Sequence, residues 1–393
     1  MGTPVLRRFL SGLLWGLIIV AGIPARLFAE STPPARPAEN DRTATSLREY
    51  QAALLAPYGG DYLKMPLRAK AEYFEWAIQK YHTSDWRQVH YQVTLRDKVG
   101  AAPRYGLGAD TSTWNGALLA ALSYKYAVTK DPATLEHISS LLHGLHFFQQ
   151  VTETPGLSAR SVIQSDEPIH KNVHKYVDAD GKVYHYRSDP AKGTYNQLLG
   201  SYATLMLLVY DDLPAAEQKL ARADMTALVV HLLENDYRIT DVDGKPTPYG
   251  DLRPLFGRQG VPFNAQVAYM IVATGKYFVP EDDPHAAKID RAFKRLRSKH
   301  HAYYSAPLKS LLHPQRVGGS DFVKGMNDRN HVTNAAYVSL MMDLHQSYRA
   351  QSPMEPTFLY RMGRTMYHTL RKIENEHHSL CNFMWCGLLR HPG

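Results

Sequence analysis

Two apolar-periodic segments separated only by Thr129-Lys130-Asp131-Pro132 constrain this chain more than any other feature. The first, following Trp114, sets Leu118, Leu119, Leu122 and Tyr126 on one stripe, and the second uses Leu135, Ile138, Leu142, Leu145 and Phe148. Apolar residues three and four apart line one face of an α-helix. Asp131 can accept backbone N–H bonds as a cap, and Pro132 needs no N–H at the first helical position, so the second helix begins at once. So short a connection leaves the two helices as antiparallel neighbours.

The same grammar recurs down the chain. A helix over 195–210, the loop Asp211-Asp212-Leu213-Pro214 and a helix to about Asn235 form another hairpin. Residues 66–81 place Leu67, Ala71, Phe74, Ile78 and Tyr81 on a stripe expected to face the core. Further helices are expected over 262–274, closed by Gly275, and over 284–300, 330–348 and 355–374. Paired helices cannot bury both flanks alone, so neighbouring pairs should pack into an arc or ring. Short loops then gather at one end, and the long segments 151–194, 236–261 and 302–329 gather at the other. Long loops on a rigid helical scaffold are where a site is expected.

Residues 1–29 stand outside this pattern. Arg7 and Arg8 precede an apolar run from Phe9 to Ile23, with Leu27-Phe28-Ala29 beyond it, the layout of an export signal cleaved after Ala29. The competing reading is an uncleaved membrane anchor, against which the run is short. Residues 30–43 read as a flexible leader rich in Pro, Ala, Ser and Thr. The expected location is therefore periplasmic or secreted, with membrane contact only if the first segment is retained. Removing Arg7, Arg8 and Arg26 takes the 45 Lys and Arg to 42 against 37 Asp and Glu, or +5. That mild basicity suits an anionic polymer, but no Lys/Arg block with interleaved aromatics marks a nucleic-acid track. Cys381 and Cys386 are compatible with a short disulfide in an oxidising compartment or with two buried thiols; helical geometry would point them apart.

Asp110-Thr111-Ser112-Thr113-Trp114-Asn115-Gly116, Thr129-Lys130-Asp131-Pro132 and the run Val151 to Arg160 resemble exported bacterial proteins related to the six-hairpin glycosidases. The likeness continues through Tyr195-Asn196-Gln197, Asn235-Asp236, Asp241 to Thr247 and Asn264, and ends at Glu374-Asn375-Glu376. It implies an all-α architecture: an α/α toroid of helical hairpins, closed or as an incomplete (α/α)6 barrel, in a single domain over 44–393. It also implies a glycan substrate. The superfamily includes hydrolases, lyases and epimerases, so fold analogy does not choose the reaction.

Asp110, just before a helix, is either its cap or a carboxylate at the ring mouth. Trp114, one turn on, is either core or a sugar platform. Arg160 can hold a planar carboxylate of protein or substrate. His170, His174 and His185 lie in the same long segment, and Asp178-Ala179-Asp180-Gly181 reads as a solvated turn because a calcium loop's spaced ligands are missing. Where the resembling proteins are expected to carry Asp-Gln, this chain has Asn196-Gln197; an amide hydrogen-bonds but cannot titrate. His331 and Asn334 sit one helical turn apart beside Asp328 and Asn330.

Two chemistries follow, glycoside hydrolysis as the leading reading and uronate β-elimination as the alternative. Inverting hydrolysis needs two carboxyl groups flanking the scissile bond; Asp110 and Asp251 are the preferred pair, Glu376 the reserve, and Trp114 and Tyr195 the sugar platforms. β-Elimination on a uronate needs the substrate carboxylate neutralised and a base for the C5 proton. Arg160 with Asn196 suits the first task, and His185, His331 or Tyr195 the second. A groove that binds a polysaccharide or oligosaccharide without turning it over is the third reading.

No cofactor is expected, since the sequence has neither a dinucleotide fingerprint nor a phosphate loop, and no metal is expected. His300-His301 and His377-His378 are adjacent pairs whose side chains diverge on a helix. Elemental analysis of the purified chain should give well under one transition metal per molecule, and glycan turnover should survive a strong chelator. Turnover lost to the chelator and restored by one added ion would refute this.

Overall fold

A computed structural model of the chain describes residues 52, 55–94, 103–165, 173–253, 262–299 and 321–351. The expected signal and leader, the helix expected over 355–374, His170, His300-His301, Glu376, His377-His378 and both cysteines lie outside those residues. The principal helices are α1 (Leu67–Ala77), α2 (Thr111–Thr129), α3 (Pro132–Gln150), α4 (Lys192–Leu208), α5 (Ala215–Glu234), α6 (Pro262–Phe278), α7 (Ala286–Lys294) and α8 (Asp321–Arg349). None is long and apolar enough to cross a membrane.

The α2–α3 hairpin forms as its sequence dictates. Asp131 Oδ1 accepts the Ala133 N–H at 3.2 Å, Pro132 occupies the first helical position, and Lys130 turns the corner with φ +51°. Leu119, Leu122, Ile138, Leu142, Leu145 and Phe148 are buried as a continuous seam. Each such side chain removed from water contributes about 1.5–3 kcal/mol. α4 and α5 repeat the hairpin, and Lys130 Nζ reaches Asp212 at 2.6 Å, so the two short turns meet at one end.

Alternate helices form two rows. α2 packs on α4, α4 on α6, and α8 on both α4 and α6, while α3, α5 and α7 lie outside them. Because each hairpin reverses direction, the inner helices run the same way, and their N-termini share the end opposite the short turns. The domain is mostly helical, and no closed ring is found among the described residues. The all-α expectation needs a second correction, because the described parts of the 151–194 and 236–261 segments hold short strands. Ser161–Gln164 (β3), His174–Val177 (β4) and Val183–Arg187 (β5) make an antiparallel sheet in the order β3-β5-β4. Arg238–Thr240 (β6) pairs with Pro246–Asp251 (β7), and Val93–Thr94 (β1) with Arg104–Tyr105 (β2). Asp178 Oδ1 accepts from the N–H groups of Asp180 and Lys182, so Asp178 to Gly181 is the β4–β5 turn.

Other expectations fail for local reasons. α1 has no buried residue, with Leu67 and Phe74 exposed, and of its stripe Ile78, just past the helix end, packs against the core. α8 begins at Asp321, earlier than residue 330. Gly275 does not end α6 but sits inside it, where a Cβ would lie 2.9 Å from Val229 and 3.1 Å from Ile289; the missing side chain is what lets α5 and α7 approach.

Gly144 gives the sharpest test of this packing. A Cβ there would meet the Arg87 carbonyl oxygen at 2.0 Å, and backbone cannot swing aside as a side chain can. Gly144→Ala should cost at least about 2 kcal/mol in urea unfolding, whereas Gly181→Ala, in an open turn, should cost about 1 kcal/mol. Equal effects would show that the α3 contact with residues 84–88 is not tight.

Candidate functional site

The shared N-terminal end of the inner helices is held together by Arg160. Its backbone oxygen accepts the Ser112 N–H at 3.0 Å and its N–H donates to the Arg187 oxygen at 2.8 Å, which pins the start of α2 to the end of β5. Its guanidinium is largely buried: Nη2 donates to Asp110 Oδ1 at 2.9 Å, Nη1 to the Asp189 carbonyl at 3.3 Å, and Nε to the Ala109 carbonyl. Arg160 therefore binds a protein carboxylate. Asp110 occupies the N-cap position of α2 but makes no side-chain capping bond, because its carboxylate is turned to the arginine and half exposed. Trp114 stands one turn on and 54% exposed, where a sugar platform would be.

Asp189 is a member of this cluster that sequence reasoning missed. It has φ +66° immediately before Pro190, a strained conformation for a residue with a Cβ. Burial pushes its carboxyl above the usual range, against the pull of Arg160, whose Nη1 lies 4.0 Å from Asp189 Oδ2. The signal was available as a Ser-Asp-Pro triplet at the end of a strand, but the strand itself was not recognised. Tyr91 was missed as well: 41% exposed, its hydroxyl accepts the Ala109 N–H at 2.6 Å, beside the Asp110–Arg160 pair.

Deeper in, Asn196 of α4 is fully buried and faces α8. Its Nδ2 donates to the His331 Nδ1 at 3.1 Å and to the His331 carbonyl at 3.3 Å. With Nδ1 accepting, the imidazole proton resides on Nε2. Burial, reinforced by the Lys192 charge and opposed by Asp110, lowers the His331 pKa to about 4, so the ring is neutral at pH 7. Asn334 lies on the same face of α8, its Nδ2 3.0 Å from where a Gly200 Cβ would be, so the two α8 residues do share one side as their spacing implied. Lys192 Nζ donates to Asn264 Oδ1 at 3.1 Å, and Asn264 Nδ2 to the Arg253 carbonyl at 3.4 Å, linking α4, α6 and the end of β7. Thr111 Oγ1, Ser112 Oγ, Asn196 Oδ1, Gln266 Nε2, Thr333 Oγ1 and Asn334 Nδ2 are buried polar atoms on the inner helices with no hydrogen-bond partner among the described residues. Each costs about 1–3 kcal/mol, so their concentration here marks a surface shaped by something other than stability.

Of the other expected site residues, two are buried and one is ion-paired. Tyr195 is fully buried and donates its hydroxyl to the Gly156 carbonyl; burial raises its pKa, so it is neither a sugar platform nor an accessible base. His185 is buried within the three-stranded sheet, opposite Ile163 and Lys175. Asp251 is held by Arg253 through Nε–Oδ1 at 3.0 Å and Nη2–Oδ2 at 2.6 Å, and that pair lowers its pKa, the wrong direction for a general acid. Asp110 and Asp251 thus ion-pair with different arginines. Among the described residues no group of three or more His, Cys, Asp or Glu is placed to hold a metal ion.

No protein-family model, curated protein or solved structure matches this chain.

The neutral state of His331 has a measurable consequence. Its folded pKa of about 4 lies below the unfolded value of about 6.5. The unfolded chain therefore binds the proton first, and stability complete above pH 6.5 is lost as pH falls toward about 4. Between pH 7 and about 4.5, His331→Gln should lose about 2 kcal/mol less stability in urea unfolding than the parent chain. Equal losses would mean that the imidazole is solvated and protonates freely.

Proposed function

We propose that this chain processes a uronate-containing glycan by β-elimination, at the mouth formed by Asp110, Arg160, Lys192, Asn196 and His331. The observation that carries the reading is the Asn196–His331 hydrogen bond, which holds a neutral imidazole with its proton on Nε2 beside the Lys192 charge. A neutral donor and a fixed ammonium suit a substrate carboxylate whose negative charge grows as the C5 proton leaves. Asn196 is too deeply buried to touch the sugar, so it acts by positioning His331. The Asp110 carboxylate, half exposed and oriented by Arg160, accepts the C5 proton, and the same group returned as an acid can serve the departing glycosidic oxygen. Trp114 and Tyr91 give exposed aromatic faces beside Asp110 on which sugar rings can stack. The resemblance to exported toroidal glycan enzymes supports the substrate class.

One observation favours hydrolysis instead. Asp110 and Asp189 bracket the same guanidinium, and the Asp189 carboxyl is held above its usual range by burial, as a general acid requires. The two chemistries leave different products.

Digestion of alginate, pectic and glycosaminoglycan substrates should yield the ultraviolet absorbance of an unsaturated uronide. Asp110→Asn should lower the rate at least about 100-fold with unchanged circular dichroism. New reducing ends without that absorbance assign hydrolysis, and binding without either product assigns a non-catalytic glycan protein.

A further inference from the structure

A second, separate site lies along α5, away from the mouth. One stripe of this helix floors a cavity of about 630 Å³, a size suited to a small organic ligand. Ala223, Ala227 and Val230 make the floor apolar, and the turn Asp283-Pro284-His285 forms the opposite wall.

The charges in the cavity are unbalanced. Of its carboxylates, Glu234 pairs with Lys288 at 3.5 Å, while Asp283, whose Oδ1 accepts the His285 N–H at 2.8 Å, leaves one negative charge against two cations. His231 adds no charge, because Nδ1 donates to the Pro155 carbonyl while Nε2 accepts the Thr240 N–H, and burial lowers its pKa. Lys219 and Arg222, three residues apart on the helix, form no ion pair with any described residue. The Arg222 guanidinium lies 5.0 Å from the Tyr210 ring centroid, which fixes its plane. Its Nε has no hydrogen-bond partner among the described residues. An arginine stacked on an aromatic ring, without an ion pair among the described residues and lining an apolar-floored cavity, is suited to an oxyanion.

We propose that this cavity binds a small organic oxyanion, a carboxylate or phosphate ester, with the anion on Arg222 and Lys219 and an apolar body on Ala223, Ala227 and Val230. The site is independent of the glycan reading, since it shares no residue with the mouth.

Calorimetric titration of the mature chain with phenyl phosphate and with hexanoate tests it, with inorganic phosphate as the comparison. Saturable binding of at least one organic probe at one equivalent is expected, with inorganic phosphate clearly weaker. Arg222→Gln should weaken that binding at least about tenfold. Ala223→Phe, at an exposed position where folding is undisturbed, should abolish it by filling the floor, and the exposed Lys219→Gln should weaken it severalfold. Absence of saturable binding by both organic probes overturns the proposal. So does inorganic phosphate binding as tightly as they do, or binding that persists unchanged in the Arg222 and Ala223 variants.

Discussion

α4 has to be enclosed on nearly every face, and the rest of the domain follows from that demand. Eleven of its residues are buried, including Tyr195, Leu198, Leu199, Tyr202 and Leu205, so no single partner helix can cover it. α2, α6 and α8 each take one side, and α5 closes the hairpin. Small residues set how close they come: Gly116 of α2 lies against Leu198 and Gln197, and Gly193 and Gly200 lie against His331 and Asn334. Close approach brings strong packing, because interiors lose contact energy steeply with even small gaps. It also carries the polar residues of α4 inward with the apolar ones. Asn196 is buried because Tyr195 and Leu199 are.

That enclosure explains why electrostatics are concentrated at one end. Helices running in the same sense bring their positive N-terminal ends together. The start of α2 answers with Asp110 and that of α4 with nothing, for Ala191 makes no side-chain cap. Arg160 then adds a further positive group, held by Asp110 and two carbonyls. On the proposed reading, a mouth of this kind suits an anionic ligand better than a neutral one. A hydrolase relying on Asp251 fits it less well, since Arg253 stabilises the ionised form of that carboxyl. The α5 cavity, by contrast, owes its positive character to two side chains that form no ion pair among the described residues.

The hairpins were legible because their signals are local. Asp131-Pro132 caps and starts a helix whatever surrounds it, and the Leu119, Leu122, Ile138, Leu142 seam needs only the helical repeat. Residues 161–187 were not legible, because short strands with partly buried, tyrosine-rich faces give a weak alternation that a loop can imitate. Asp189 follows that sheet, so its place is no more legible from local sequence than the sheet is, and His185, expected at the mouth, lies inside the sheet. Gly275 misled for a related reason. A glycine near the end of a periodic run is a stop signal unless tertiary packing needs the space its side chain would fill.

By itself the sequence determined the helical hairpins, the caps between them, and the gathering of Asp, Arg, Asn and His residues into the segments that lead to the inner helices. Those features depend on neighbours within a few residues, which the order of amino acids specifies directly. Only the tertiary structure decided which carboxylate met which arginine, that Tyr195 went inside while Trp114 stayed out, and that Asn196 took His331 from a helix more than a hundred residues away. Partner choice of that kind follows from how helices rotate and approach as they bury their apolar faces, and the same side chain serves as site, cap or core according to what that packing places opposite it.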